Sequence, residues 1–280
     1  RWSAMTNGMC RPSYGSRQTE HEAVSVTARL GTGMVSEVIT APSFATPADG
    51  VEHFFGTRLS SVSVTPGRAA VPGALHRERG ASVILSVKQV HGTDALIVDR
   101  PVEEGDAFEG GWDALVTDQP GLMVTVRTAD CVPVLLHDPE RRVVAAIHAG
   151  WRGAVAGIVP KTVALMVSRF GATVDRLQMA IGPSAGPCCY EVDEPVLARL
   201  REVFPEWRSV VKPVNSQKAH LDLRAFVRRQ ALADGLAAER VATVDACTIC
   251  QPERFYSYRR EGVVKATMVS GIALLPRRPG

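Results

Sequence analysis

The 280-residue chain has few cysteines, no long apolar run and no block of like charge. Each absence removes a class of protein. Six cysteines, two of them adjacent at Cys188 and Cys189, do not make a disulfide framework, and a reduced compartment, the cytoplasm, is the expected location. No stretch reaches the ~18 apolar residues of a spanning helix and no secretory-type apolar segment stands near the start, so no membrane partner is expected. Lys and Arg number 32 against 29 Asp and Glu, and neither sign gathers into an arm for nucleic acid. No G-x-G-x-x-G follows a strand-like run, which argues against a dinucleotide fold. Seven histidines with no H-x-H pair are too few for a cluster of several copper ions.

What is present is apolar and evenly spread. Residues 1–44 are rich in Ser, Thr, Gly and Arg without sustained period and are expected to be a disordered leader, with one domain over residues 45–278. From there apolar runs of strand length recur: Val83–Val90, Ala95–Val98, Leu115–Thr117, Leu122–Val126, Val132–Leu136, Val143–Ile147, Leu177–Ile181 and Ala266–Leu275. Several are continuous, so both faces should be covered. "VPVLL" and "VVAAI" flank "HDPERR" and should pair as an antiparallel hairpin, with His137 at its turn. Helices are expected over Gly153–Phe170 with a kink at Pro160, Glu194–Phe204 and Asp222–Leu236, the last with Asp222 as N-cap. The fold class is α/β of the α+β kind: a layered sandwich of mixed β-sheets flanked by helices.

Polar residues interrupt the apolar runs at "KQVHG", "TADC" and "IHAGWRG", each at the end of a strand. Side chains there can converge on one crevice. His91, Cys131 and His148 would then make a Cys/His/His set for a tetrahedral metal with a vacant fourth position. The alternative is that each histidine is a hydrogen-bonded core residue and Cys131 a small apolar filler. If Ala149–Gly153 turns from strand into helix, Arg152 and the N–H groups around Gly153 would form an anion pocket suited to phosphate. Equally, Gly150 and Gly153 could serve only a tight turn with Trp151 plugging the core. "CTIC" at Cys247–Cys250 is a single C-x2-C pair. A structural zinc there would need Cys188 and Cys189, and neighbouring residues rarely aim both sulfurs at one ion, so buried thiols are expected. "FYSYRREG" reads as a basic aromatic wall or an amphipathic edge strand.

Taken together and in order, "KQVHG", "DALVTD", "TADCVPVLL", "IHAGWRG", "IGPSAGPCCYEV", "HLDL" and "FYSYRR" resemble the YfiH/YlmD/LACC1 family. That family is described as multicopper polyphenol oxidase or laccase-like, and its bacterial members also as peptidoglycan editing factors and purine nucleoside phosphorylases. The resemblance runs from about Val51 to the C-terminus. It implies a cytotoxic-necrotizing-factor/YfiH-like fold and a zinc held by His91, Cys131 and His148. It also implies phosphorolysis of adenosine, inosine, guanosine and methylthioadenosine, together with adenosine deamination. "FFGTR" keeps Arg58, but the family's "GGVS" and "LN" do not follow it, and Lys265–Thr267 reads "KAT" where "TGR" is usual. Both departures bear on base or sugar preference rather than on the metal.

On this reading the partners are purine nucleosides and phosphate. Cys131 and His148 serve catalysis, Asp130 is the nearest carboxylate for proton transfer, though an extended strand would turn it away from Cys131, and Arg58, Arg152 and Gly153 receive phosphate. Copper also suits one Cys and two His. Competing readings are a copper-dependent polyphenol oxidase, an amidase-like hydrolase of cell-wall precursors with Cys131 as nucleophile and His148 as base, and a non-catalytic metal-binding module.

Overall fold

The structure, a computed structural model, describes residues 24–29, 35–41, 44, 50–60, 62–73, 76–77 and 80–276. Among these the strands are β1 Val24–Arg29, β2 Val35–Thr40, β3 Val51–Gly56, β4 Ala69–Ala70, β5 Val83–Ser86, β6 Ala95–Val98, β7 Ala114–Thr117, β8 Leu122–Thr128, β9 Val132–Asp138, β10 Val143–Ala149, β11 Gln178–Ile181, β12 Glu191–Asp193, β13 Val211–Pro213, β14 Lys218–Leu221, β15 Val241–Thr243 and β16 Met268–Leu274. The helices are α1 Trp151–Val155, α2 Ile158–Phe170, α3 Glu194–Val203, α4 Leu223–Ala233 and α5 Tyr258–Glu261.

Two mixed sheets carry the architecture. One runs β1-β2-β3-β16-β8-β5-β4 and the other β15-β11-β9-β10-β7-β6; β12-β14-β13 form a small third sheet. Only β5–β8, β6–β7 and β11–β15 are parallel pairs among the described strands. Alternation along the central strands explains the continuous apolar runs. Val132, Val134 and Leu136 of β9 and Val143, Ala145 and Ile147 of β10 pack with Ile158, Val163 and Met166 of α2 and with Phe226 and Val227 of α4. Their opposite faces, Leu135, Val144 and Ala146, meet Phe55, Leu85, Val124 and Ile272 of the larger sheet. Every residue of β9 and β10 is therefore buried, as strands covered on both sides require. The layered sandwich flanked by helices is the expected class.

The β9–β10 hairpin forms in the register Asp138↔Val143 to Ala149↔Val132. Its turn is closed by Asp138, whose Oδ1 accepts from the N–H of Glu140 and of Arg141, each at 2.9 Å. His137 lies inside β9, buried, with Nδ1 3.0 Å from Gln178 Oε1.

Two expectations are corrected and one holds. The stretch 1–44, expected to be a disordered leader, contains β1 and β2, which pair antiparallel, and β2 joins β3; residues 1–23, 30–34 and 42–43 lie outside the described ones. The two-residue alternation of "VSVTAR" is a strand signal, while "VSEVIT" does not alternate. The helix expected over Gly153–Phe170 is two helices that break at Gly157, in the left-handed region with φ 84°, rather than at Pro160. Pro160 falls in the first turn of α2, where its missing N–H forfeits no helical bond. Asp222 does cap α4, its carboxylate accepting from Ala225 N–H at 2.9 Å.

Candidate metal centre

A loop, a bend and the end of a strand bring His91, Cys131 and His148 together. Their ligand atoms all lie within 4.8 Å of one another, Cys131 Sγ is 3.9 Å from His91 Nε2, and the two imidazole rings stand edge-on with centroids 4.8 Å apart. His148 is the second-last residue of β10, just before the chain leaves the sheet for α1. Cys131 ends the bend between β8 and β9. His91 follows β5 in a loop held to β8 by Gln89, whose amide mimics a strand: its Nε2 donates to Arg127 O at 2.7 Å and its Oε1 accepts from Arg127 N–H at 2.8 Å.

Asp113 organises the group, and its part was not apparent from the sequence. It is fully buried at the start of β7. Its Oδ1 accepts from His148 Nδ1 at 2.8 Å and from His91 N–H at 2.9 Å; its Oδ2 accepts from Gly92 N–H at 2.6 Å and Val90 N–H at 3.3 Å. Burial opposes the charge on Asp113, but the bonds from His148, Gly92 and His91 outweigh it and hold the carboxyl below its usual range. With Nδ1 engaged by Asp113, His148 presents Nε2 to the other two side chains, the arrangement by which a carboxylate orients a metal-binding imidazole. Burial likewise pushes the Cys131 thiol up, yet His148 and His91 bring it down to about 7. His148 is raised to about 9: burial lowers it, while Asp113 and Cys131 more than compensate.

The cradle has room for an ion because Gly150 stands where it does. A Cβ at Gly150 would lie 2.9 Å from His91 Cδ2 and 3.1 Å from Cys131 Sγ. Ligands of a tetrahedral zinc at ~2.0–2.3 Å are separated by ~3.3–3.8 Å, so the observed group needs only a small contraction. One soft thiolate and two imidazoles are donors that zinc and copper both accept.

The other expected residues distribute around this core. Asp130 has φ 101° in the bend rather than an extended strand, and both of its oxygens are engaged. Oδ1 accepts from Thr248 Oγ1 at 2.6 Å, and Oδ2 from Ser257 Oγ at 3.0 Å and Arg259 N–H at 2.6 Å. Arg152 lays its guanidinium 4.4 Å over the Trp151 ring. Gly153 packs against the His91 loop, where a Cβ would come 2.7 Å from Gly92 O. Arg58 reaches the 252–256 segment, with Nη1 donating to Pro252 O and the guanidinium 4.8 Å above Tyr256. Two neighbours went unnamed in the sequence reading, Tyr190 of "CCYEV" and Arg259 of "FYSYRR". Arg259 lies 5.1 Å over the Tyr190 ring. Burial and the charge of Cys131 push the Tyr190 hydroxyl up to about 12, against the pull of Arg259 and Arg152. A cleft of about 430 Å³ beside the His91 loop is lined by Arg68, Lys88 and Val90 among others, but by none of the three candidate ligands.

Residues 60–275 match the family described as multi-copper polyphenol oxidoreductase laccase. The chain belongs to this family. Within the laccase-described family its relatives bear other names. A protein named adenosine deaminase RL5, from an unknown prokaryotic organism, is 39% identical over 191 residues, which is 66% of this chain and 72% of that protein. A purine nucleoside phosphorylase of Deinococcus radiodurans is 35% identical over 260 residues, 87% of this chain and 94% of its own. The crystal structure of YlmD from Geobacillus stearothermophilus aligns with TM-score 0.70 at 28% identity, over 85% of this chain and 96% of that one. No helix among the described residues is long and apolar enough to cross a membrane.

Proposed function

We propose that the protein is a zinc-dependent purine nucleoside phosphorylase, acting on adenosine, inosine, guanosine and methylthioadenosine, with adenosine deaminase activity at the same centre. The observation that carries this reading is the convergence of His91, Cys131 and His148 within 4.8 Å around a cradle left open by Gly150. Relatives named purine nucleoside phosphorylase and adenosine deaminase supply the reaction class. A zinc ion in this group would supply Lewis-acid polarisation of an oxygen nucleophile or of the substrate.

The chain's own residues divide the remaining work. Asp113 keeps His148 in one tautomer and ties it to the His91 loop. Arg152 and Arg259 flank Tyr190 and offset the charge of phosphate as it approaches the sugar carbon, with Arg58 on the 252–256 side. Because α1 has five residues, its dipole is small, and the anion is held by these side chains more than by Gly153. Tyr190, protonated at neutral pH, would serve as a hydrogen-bond donor to the substrate. Asp130, with both oxygens engaged, positions the Cys131 bend against the 248–259 segment.

One observation favours a second reading. Asp113, His148 and Cys131 also have the order of an orienting acid, a base and a thiol whose pKa is about 7, which would suit a cysteine hydrolase. Incubation of the purified protein with adenosine, with and without phosphate, followed by product separation, decides. Adenine and ribose 1-phosphate formed only with phosphate support phosphorolysis, and inosine formed without it supports deamination. No change in adenosine under either condition rejects the proposal.

A further inference from the structure

Four other cysteines make a second group outside the centre described above. The ligand atoms of Cys188, Cys189, Cys247 and Cys250 all lie within 4.8 Å of one another, and Cys188 Sγ is 3.8 Å from Cys250 Sγ. The adjacent pair, set aside in the sequence reading, converges because Cys188 and Cys189 occupy a single helical turn. Cys189 and Tyr190 N–H both donate to Gly186 O, at 3.0 and 2.9 Å. In such a turn successive side chains diverge by about 100° rather than the 180° of a strand, so two neighbouring sulfurs can face one point. The C-x2-C pair lies in the turn after β15. The two turns are laced together by a parallel bridge between Ser184 and Cys247 and by Thr248 N–H donating to Ser184 O at 3.0 Å.

We propose that Cys188, Cys189, Cys247 and Cys250 hold one zinc ion as four thiolates, a structural site separate from the His91, Cys131 and His148 group. Four sulfurs at ~2.3 Å from a tetrahedral zinc are ~3.8 Å apart, which is the Cys188–Cys250 separation and far from the ~2.05 Å of a disulfide. None of the five described cysteines is disulfide-bonded.

The surroundings suit an anionic cluster. Gly186 N–H donates to Cys247 Sγ at 3.2 Å. Gly186 must be glycine for this approach, since a Cβ there would stand 3.0 Å from Cys247 Cβ and 3.3 Å from both Cys247 Sγ and Arg224 Nη2. Arg224 is thus a buried cation beside the cluster, and its carboxylate partner Asp245 is 78% exposed on the other side. Four thiolates and a divalent ion carry net charge −2, half of which one buried guanidinium can offset. The site would also brace the first centre from behind. Ala185 N–H donates to Asp130 O at 2.9 Å and Thr248 Oγ1 to Asp130 Oδ1 at 2.6 Å, so both cysteine turns grip the residue before Cys131.

The test is a metal count that does not depend on nucleoside turnover. Purified wild-type protein is expected to carry two zinc ions per chain by elemental analysis. The double variant His91→Ala, Cys131→Ala, with the four cysteines intact, should keep one, and zinc X-ray absorption on it should show four sulfur neighbours at ~2.3 Å. Cys247→Ser with Cys250→Ser should lose that ion; if this variant fails to fold, the first double variant decides alone. Absence of metal in that variant, copper or iron in place of zinc, nitrogen in the zinc shell, or a disulfide among the four cysteines in freshly purified protein would each overturn the proposal.

Discussion

Replacing Asp113 with Asn tests how the centre is held, because it keeps the shape and removes the charge. In the native structure one carboxylate serves four donors: His148 Nδ1 at 2.8 Å, His91 N–H at 2.9 Å, Gly92 N–H at 2.6 Å and Val90 N–H at 3.3 Å. An amide has one accepting end. If its oxygen stays with His148 and His91, its NH2 group faces the N–H of Gly92 across the shortest of the four contacts; flipped, it opposes His148 instead. Asp113 is fully buried, so water does not relieve either arrangement. Hydrogen bonds to a charged group contribute ~1.5–3 kcal/mol each, and removing a partner that orients a metal ligand costs ~10–100-fold in metal affinity, or ~1.4–2.7 kcal/mol. Asp113→Asn should therefore bind zinc ~10–100-fold more weakly at the His91 group in competition with a chromophoric chelator, and lose ~2 kcal/mol of unfolding free energy when metal-free. A variant that folds, unfolds at the wild-type denaturant midpoint and binds zinc within twofold of wild type would refute the role given to Asp113.

Gly150→Ala is a steric counterpart: φ −70° and ψ 163° suit alanine, so only contacts 2.9 Å from His91 and 3.1 Å from Cys131 are introduced. Zinc affinity should fall by an amount equivalent to ~1–3 kcal/mol of overpacking, measured by the same competition, with the far-ultraviolet spectrum unchanged. Zinc uptake at this centre should release protons, because the metal requires a thiolate and neutral imidazoles. His148, near 9, is protonated below that pH and Cys131 below about 7. Affinity should then rise ~100-fold per unit below pH 7, ~10-fold per unit from 7 to 9, and level off above; a flat profile from pH 6 to 9 would show that these groups do not compete with the metal. Tyr190→Phe should lower kcat in the phosphorolysis of adenosine by ~10-fold while leaving the zinc content unchanged, and an unaltered kcat would remove Tyr190 from the site.

The parts legible in the sequence were those with a local signature. Continuous apolar runs foretold β9 and β10 buried on both faces, and a polar residue at each strand end foretold His91, Cys131 and His148 facing one another. The less legible parts depend on backbone detail or on distant partners. Asp113 stands in the quoted "DALVTD", but the groups it binds lie 21 to 35 positions away, so no local pattern marks it. Asp130 was read as extended, whereas a left-handed φ of 101° turns its side chain toward Thr248 and Ser257. Adjacent residues such as Cys188 and Cys189 rarely aim both sulfurs at one point, and here a helical turn that no local pattern announces brings them together. β1 alternates with period two but stands in a Ser- and Thr-rich surround, and β2, "VSEVIT", does not alternate, so neither stands out by pattern.

The central claim is that one thiolate and two imidazoles hold the ion on which turnover depends. Cys131→Ser changes one atom, and its effect is best read by measuring adenosine consumption and zinc content on the same sample, beside wild type. Loss of about one zinc per chain together with loss of phosphate-dependent adenine release is the predicted result. Wild-type turnover by Cys131→Ser protein lacking that zinc would contradict the account.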